Sequence, residues 1–86
     1  MKIDMNKAIV GLDGKELEGS NLGQLIAQVL VQSNKGDALK LWHWAQKLYS
    51  KEELELDPSD LEILKNFIKE SETLTILAKA QALACL

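Results

Sequence analysis

Cysteine, proline and histidine occur once each in this 86-residue chain, and aromatic side chains make up only 5% of it. The lone Cys85 excludes an intrachain disulfide and any metal site built on paired thiolates. It sits in an alanine- and leucine-rich segment and reads as a small buried apolar residue. The lone His43 leaves metal binding to carboxylates. The dense acidic run, Glu52, Glu53, Glu55 and Asp57, lacks the glycine and the spacing of a calcium loop and reads as a solvated linker. No metal and no cofactor is expected. Long apolar runs are missing as well. Nothing approaches the roughly 18 to 20 residues of a membrane span, and the opening MKIDMNKAIV has no apolar core of signal-peptide length. A reducing cytoplasmic setting is the expectation.

Charge is scarce in the net. The formal value is −3 and the sequence pI is near 5.0, so long nucleic acid and anionic membrane exert no long-range pull on the chain. Catalytic signatures are absent too: no nucleophile elbow, no phosphate-binding glycine loop, no HExxH. A general base at His43 would need an acid to orient it, and its helical neighbours at i±3 and i±4 are Leu39, Lys40, Gln46 and Lys47. The chain is not expected to be an enzyme.

What is present is apolar. Hydrophobic residues make up 47% of the chain and charged ones 27%, a globular composition for a single domain over 1–86. So small a domain covers a limited fraction of its surface, so part of this apolar material is expected in a homo-oligomer interface, a dimer by default. The expected fold is α+β, predominantly α: an N-terminal β-hairpin over 2–18, then four short helices within 22–86.

The hairpin rests on alternation from Lys2 to Ile9, with Asp13-Gly14 as a tight-turn signal and Lys15 to Glu18 returning. Gly19-Ser20-Asn21 supplies a cap for a first helix over about Leu22 to Ser33, whose stripe is Leu22, Leu25, Ile26, Val29 and Leu30. Ala27 and Val31 widen that stripe until Gln24, Gln28 and Gln32 remain as a polar line. The line reads as a solvated edge, or as an uncharged hydrogen-bonding seam toward a subunit or ligand. After a turn at Asn34-Lys35-Gly36, Asp37 caps a second helix running to about Ser50, and Lys51 to Leu56 offers one short extended segment. Asp57-Pro58-Ser59-Asp60 opens the third helix, which runs to about Glu70 and buries Leu61, Leu64, Phe67 and Ile68. A fourth, restarting over Ser71 to Thr75 and ending near Leu86, is apolar over most of its surface. The first and fourth helices are expected to be the most buried.

The second helix holds both tryptophans, the histidine and the tyrosine. Ala38, Leu41, Trp42, Ala45, Leu48 and Tyr49 recur at core-facing spacing. That phase places Trp42 inside and leaves Trp44 on a basic face with Lys40, His43, Lys47 and Lys51. A nucleotide base stacking on the Trp44 indole, with Lys40 and Lys47 on its phosphates, is the candidate chemistry. Lys40, His43, Trp44, Lys47, Lys51 and Gln28 form the expected ligand-binding set. The competing reading has Trp44 covered by the hairpin or a second subunit, with the lysines lying along it.

Leu12-Asp13-Gly14-Lys15 in the hairpin, the Leu22-Gly23 step, the helix from Leu39 to Tyr49 and the start from Glu55 to Leu61 resemble the layout of small proteins of tailed phages and prophages. The resemblance implies a phage or prophage origin and action in the host cytoplasm, and carries no functional residue over. Two phage classes share the size and helical character. Sponge proteins sequester cyclic nucleotides or ADP-ribose-like immune signals; assembly chaperones or adaptors bind a protein partner. Sequestration of a small anionic nucleotide is the leading expectation, and the adaptor is the alternative.

Overall fold

Every helix starts where a side-chain oxygen stands ready for its free N–H groups. Asn21, Asp37, Asp57 and Thr75 each accept a hydrogen bond from the backbone N–H three residues on, which is N-capping in its usual form. The computed structural model describes residues 2–33 and 36–86. In order they form β1 (Lys2–Ile3), α1 (Leu22–Gln32), α2 (Ala38–Tyr49), β2 (Leu54–Glu55), α3 (Pro58–Glu70) and α4 (Ile76–Ala84). The expected predominance of helix, with a small sheet involving the N-terminus, is the architecture observed. The turn expected at Asn34-Lys35-Gly36 lies, Gly36 apart, outside the described residues. Among the described residues no helix is long and apolar enough to cross a membrane.

The sheet is not the one that local alternation suggests. β1 pairs antiparallel with β2, Lys2 opposite Glu55 and Ile3 opposite Leu54, so the first strand crosses to the link before α3. Of the expected hairpin over 2–18 only the tip forms. Val10 bridges Glu16, the Leu17 N–H donates to the Ile9 carbonyl at 2.8 Å, and Gly14 takes the positive φ of 80° that the turn requires. Two-residue strands carry little pairing energy of their own, so burial decides the partner. Ile3 and Leu54 are both in the core.

The segment between β1 and α1 is held by backbone groups that the helix leaves free. The Leu22 N–H donates to the Lys7 carbonyl at 2.8 Å, the Gly23 N–H to the Met5 carbonyl at 2.9 Å, and the Gln24 N–H to Asn21 Oδ1 at 3.0 Å. The first three orphan donors of α1 are thereby satisfied. Gly23 suits this position because a side chain there would be tightly crowded. A Cβ at that position would lie 3.1 Å from the Leu48 carbonyl oxygen of α2 and 3.2 Å from that of Met5. Farther along, Gln81 of α4 grips Val10 with both ends of its amide, accepting from the backbone N–H at 2.8 Å and donating to the carbonyl at 2.6 Å.

One core unites these parts. Ile3, Met5, Leu22, Ile26, Leu30, Leu48, Leu64 and Ile68 are its largest fully enclosed side chains. α1 is central, as expected, and its most extensive packing is against α2. α4 is not: only Ala78 and Ala82 are buried in it, while Leu77 and Leu83 pack at the margin and Ile76 is exposed. Small residues let α4 lie close to its neighbours, so its outer apolar side chains stay outside. Cys85 is half-buried, its thiol 3.4 Å from the Gln81 carbonyl.

Candidate functional site

Successive residues of a helix are about 100° apart, so Trp42 and Trp44 sit about 160° from each other around α2. The apolar arc between them, through Tyr49, Ala45, Leu41 and Leu48, is wider than one core can cover. One tryptophan must be left out. The structure buries Trp44, which is 4% exposed, and leaves Trp42 at 55%. The core-facing residues are Leu41, Trp44, Ala45 and Leu48, while Ala38 and Tyr49 are exposed. The expected phase is therefore rotated by roughly 50°, and the stacking platform proposed at Trp44 does not exist as an open surface.

The other members of the expected set are similarly redistributed. Lys40 turns toward the start of α3, its Nζ 2.8 Å from Asp60 Oδ1. That hydrogen bond, and after it the Asp60 charge, raises the Lys40 pKa above its ordinary 10.5. Lys47 lies 3.8 Å from Glu52. His43 is exposed on the arc opposite the core. Lys51 ends α2: it takes a φ of 64°, its N–H donates to the Leu48 carbonyl, and the Glu52 N–H donates to that of Lys47. This is a Schellman C-terminus with lysine where glycine is usual. Each of the ten cationic side chains in the chain is a lysine, so the planar two-pronged grip on phosphate that arginine supplies is unavailable. Lys40 and Lys47 thus each face a carboxylate, Asp60 and Glu52.

Gln28 alone of the set lies on a recessed apolar surface. It lines a cleft of about 360 Å³ together with Ala27, Val31, Trp42, Ala45, Gln46, Tyr49 and Ser50. Val31 and Trp42 also line a second cleft of about 450 Å³, with Leu30, Ser33, Gly36, Ala38, Leu39 and Leu41. The two join into one furrow where α1 lies against α2. Leu39 is 83% exposed and Tyr49 56%, so the furrow carries large apolar side chains at both ends and Trp42 between them. None of the described residues lining it is charged. The polar line of α1 divides by position: Gln24 donates to the Tyr49 carbonyl at 3.3 Å, tying α1 to the end of α2, while Gln28 is left exposed.

Trp42, Tyr49, Leu39, Val31 and Gln46 are the residues that the sequence reading did not assign to a site. Their signal was the excess width of the α2 arc. A stripe broader than a helix needs for its core has a surplus edge, and the surplus edge is the surface feature. A contiguous apolar, uncharged furrow rimmed by amides buries well against another apolar surface and offers an anion no cation.

No known family's sequence pattern matches this chain, and neither a curated protein nor a solved structure matches it.

Proposed function

We propose that this chain is a phage-borne, non-enzymatic adaptor that acts in the host cytoplasm by docking a protein partner on the face formed by α1 and α2. The observation that carries this reading is the exposed row Leu39, Trp42 and Tyr49 on α2, flanked by Val31 of α1. Tryptophan and tyrosine beside aliphatic residues in a furrow are the usual energetic centre of a protein interface. Scattered exposed apolar residues are ordinary, but a contiguous patch marks an interaction surface. Sequestration of a small nucleotide would instead need an aromatic platform between cations. Here the indole beside the lysines is buried and Lys40 is held by Asp60.

The test is a photo-cross-linking amino acid placed at Trp42, with a matched control at the exposed Glu62 of α3. Irradiation in the producing cell is expected to give a discrete protein adduct from position 42 and none from 62. Equal or absent adducts at both positions would overturn the docking reading. Titration with cyclic dinucleotides and ADP-ribose derivatives by calorimetry is expected to give no heat.

A further inference from the structure

Resting on that docking reading, we infer that the occupant of the α1–α2 furrow is the same furrow of a second copy of this chain, in a two-fold dimer. Charge is the first reason. Each copy carries a formal −3, and a face that holds no charge of its own adds no local like-charge repulsion when two copies meet on it. The described residues lining both clefts are uncharged, whereas Lys40, His43 and Lys47 lie on the other flank of α2.

Self-complementarity is the second reason. In a two-fold interface each residue meets the surface that contains its own copy, so the patch must pair with itself. An apolar row does this without orientation. Gln28 and Gln46, which share the cleft with Trp42, each carry both a donor and an acceptor, so either can pair with its counterpart or with the Trp42 indole N–H. A lysine or glutamate in those positions would face its own like charge across the axis.

Area is the third. The exposed parts of Trp42, Tyr49, Leu39 and Val31 offer roughly 400 Å² of apolar surface. That is about half of the ~800 Å² per partner in a standard interface, the apolar centre around which the amides and Ser50 supply the rim.

Analytical ultracentrifugation decides the matter. The wild-type chain is expected to sediment at twice its 9.6 kDa at micromolar concentration, with Trp42 emission shifting to the red as dilution releases monomer. Trp42→Lys and Tyr49→Lys each put like charges across the axis. Both are expected to sediment as monomers with unchanged far-ultraviolet circular dichroism, and Ile76→Lys, on the exposed start of α4, is expected to remain dimeric. Should either α2 variant unfold, Val31→Lys on α1 replaces it. A wild-type monomer up to roughly 100 μM would overturn the dimer; a heterologous adduct from position 42 would then keep the docking reading. A dimer that survives the α2 and α1 substitutions would place self-association elsewhere and overturn the inference.

Discussion

The two tryptophans, two positions apart, divide structure from surface between them. Trp44→Ala removes a large enclosed side chain and is expected to cost about 3 to 5 kcal/mol, read as a lowered urea midpoint. Trp42→Ala, measured in the dilute monomer, is expected to stay within about 0.5 kcal/mol of wild type. Single-tryptophan variants, again in the dilute monomer, separate the two directly: acrylamide should quench Trp42 in a Trp44→Phe background and leave Trp44 shielded in the converse. Lys40 and Asp60 supply a second residue-scale prediction, with a definite sign. The bridge raises the lysine pKa, so its contribution is complete below the unfolded value of 10.5 and is lost as pH rises through the folded one. The stability difference between wild type and Asp60→Asn is therefore expected to be flat through the neutral range and to shrink only in strong alkali. The sequence reading placed both tryptophans on one helix but put Trp44 on the surface and Trp42 and Tyr49 in the core, the reverse of what is observed. It could not fix which indole was outside, because periodicity defines a stripe only when the stripe is narrower than the arc the core covers. Along α2 apolar residues run from Trp44 to Leu39, and a rotation of about 50° leaves the pattern equally satisfied.

Helix boundaries were more legible than helix phases, because a boundary is written in one or two residues whose chemistry is local. Asn21, Asp37 and Asp57 announce their helices in the sequence, and Pro58 follows its cap at the position where a missing N–H costs nothing. The end of α2 carries no such announcement, since Lys51 fills the left-handed position where glycine would have signalled a stop. Lys51→Gly is accordingly expected to stabilise the protein by about 0.5 to 1 kcal/mol: relief of the left-handed penalty of ~1 to 2 kcal/mol outweighs the extra chain entropy of glycine. A lowered melting temperature would show that the lysine side chain contributes more than its backbone strain costs. Gly23 behaves in the opposite sense. The carbonyl oxygens of Leu48 and Met5 would lie 3.1 and 3.2 Å from an added Cβ, and backbone gives way less readily than the end of a side chain. Gly23→Ala is expected to cost about 1 to 3 kcal/mol despite alanine's better helix propensity. The Leu22-Gly23 step was visible in the sequence, but its cause, two chain segments meeting on one face of α1, was not.

At the scale of the whole molecule, the chain is closed by its first residues. β1 reaches past α1 and α2 to pair with β2, a contact that no local pattern encodes, because alternation identifies a strand and says nothing of its partner. What selects the partner is the core: Ile3 and Met5 are fully enclosed, and Leu54 and Leu56 meet them from the other side of the sequence. The oligomer expected from apolar surplus meets a similar limit. Composition shows that surplus exists, but which helix carries it depends on which faces the core has already used; on α1 and α2 the large exposed apolar side chains are Val31, Leu39, Trp42 and Tyr49. The N-terminal strand then becomes a lever on the whole fold. Ile3→Ala removes an enclosed side chain paired with Leu54, for an expected cost of about 2 to 5 kcal/mol. In a domain this size that lowers the melting temperature by roughly 10 to 30 °C, whereas Leu12→Ala at the fully exposed hairpin tip should leave it unchanged. Because Ile3 shares one core cluster with Leu22, Leu48 and Leu64, helix content and Trp44 fluorescence should be lost together in one transition. Two separated transitions, the N-terminal segment releasing before the helices, would show that β1 is an appendage to the bundle rather than its closing element.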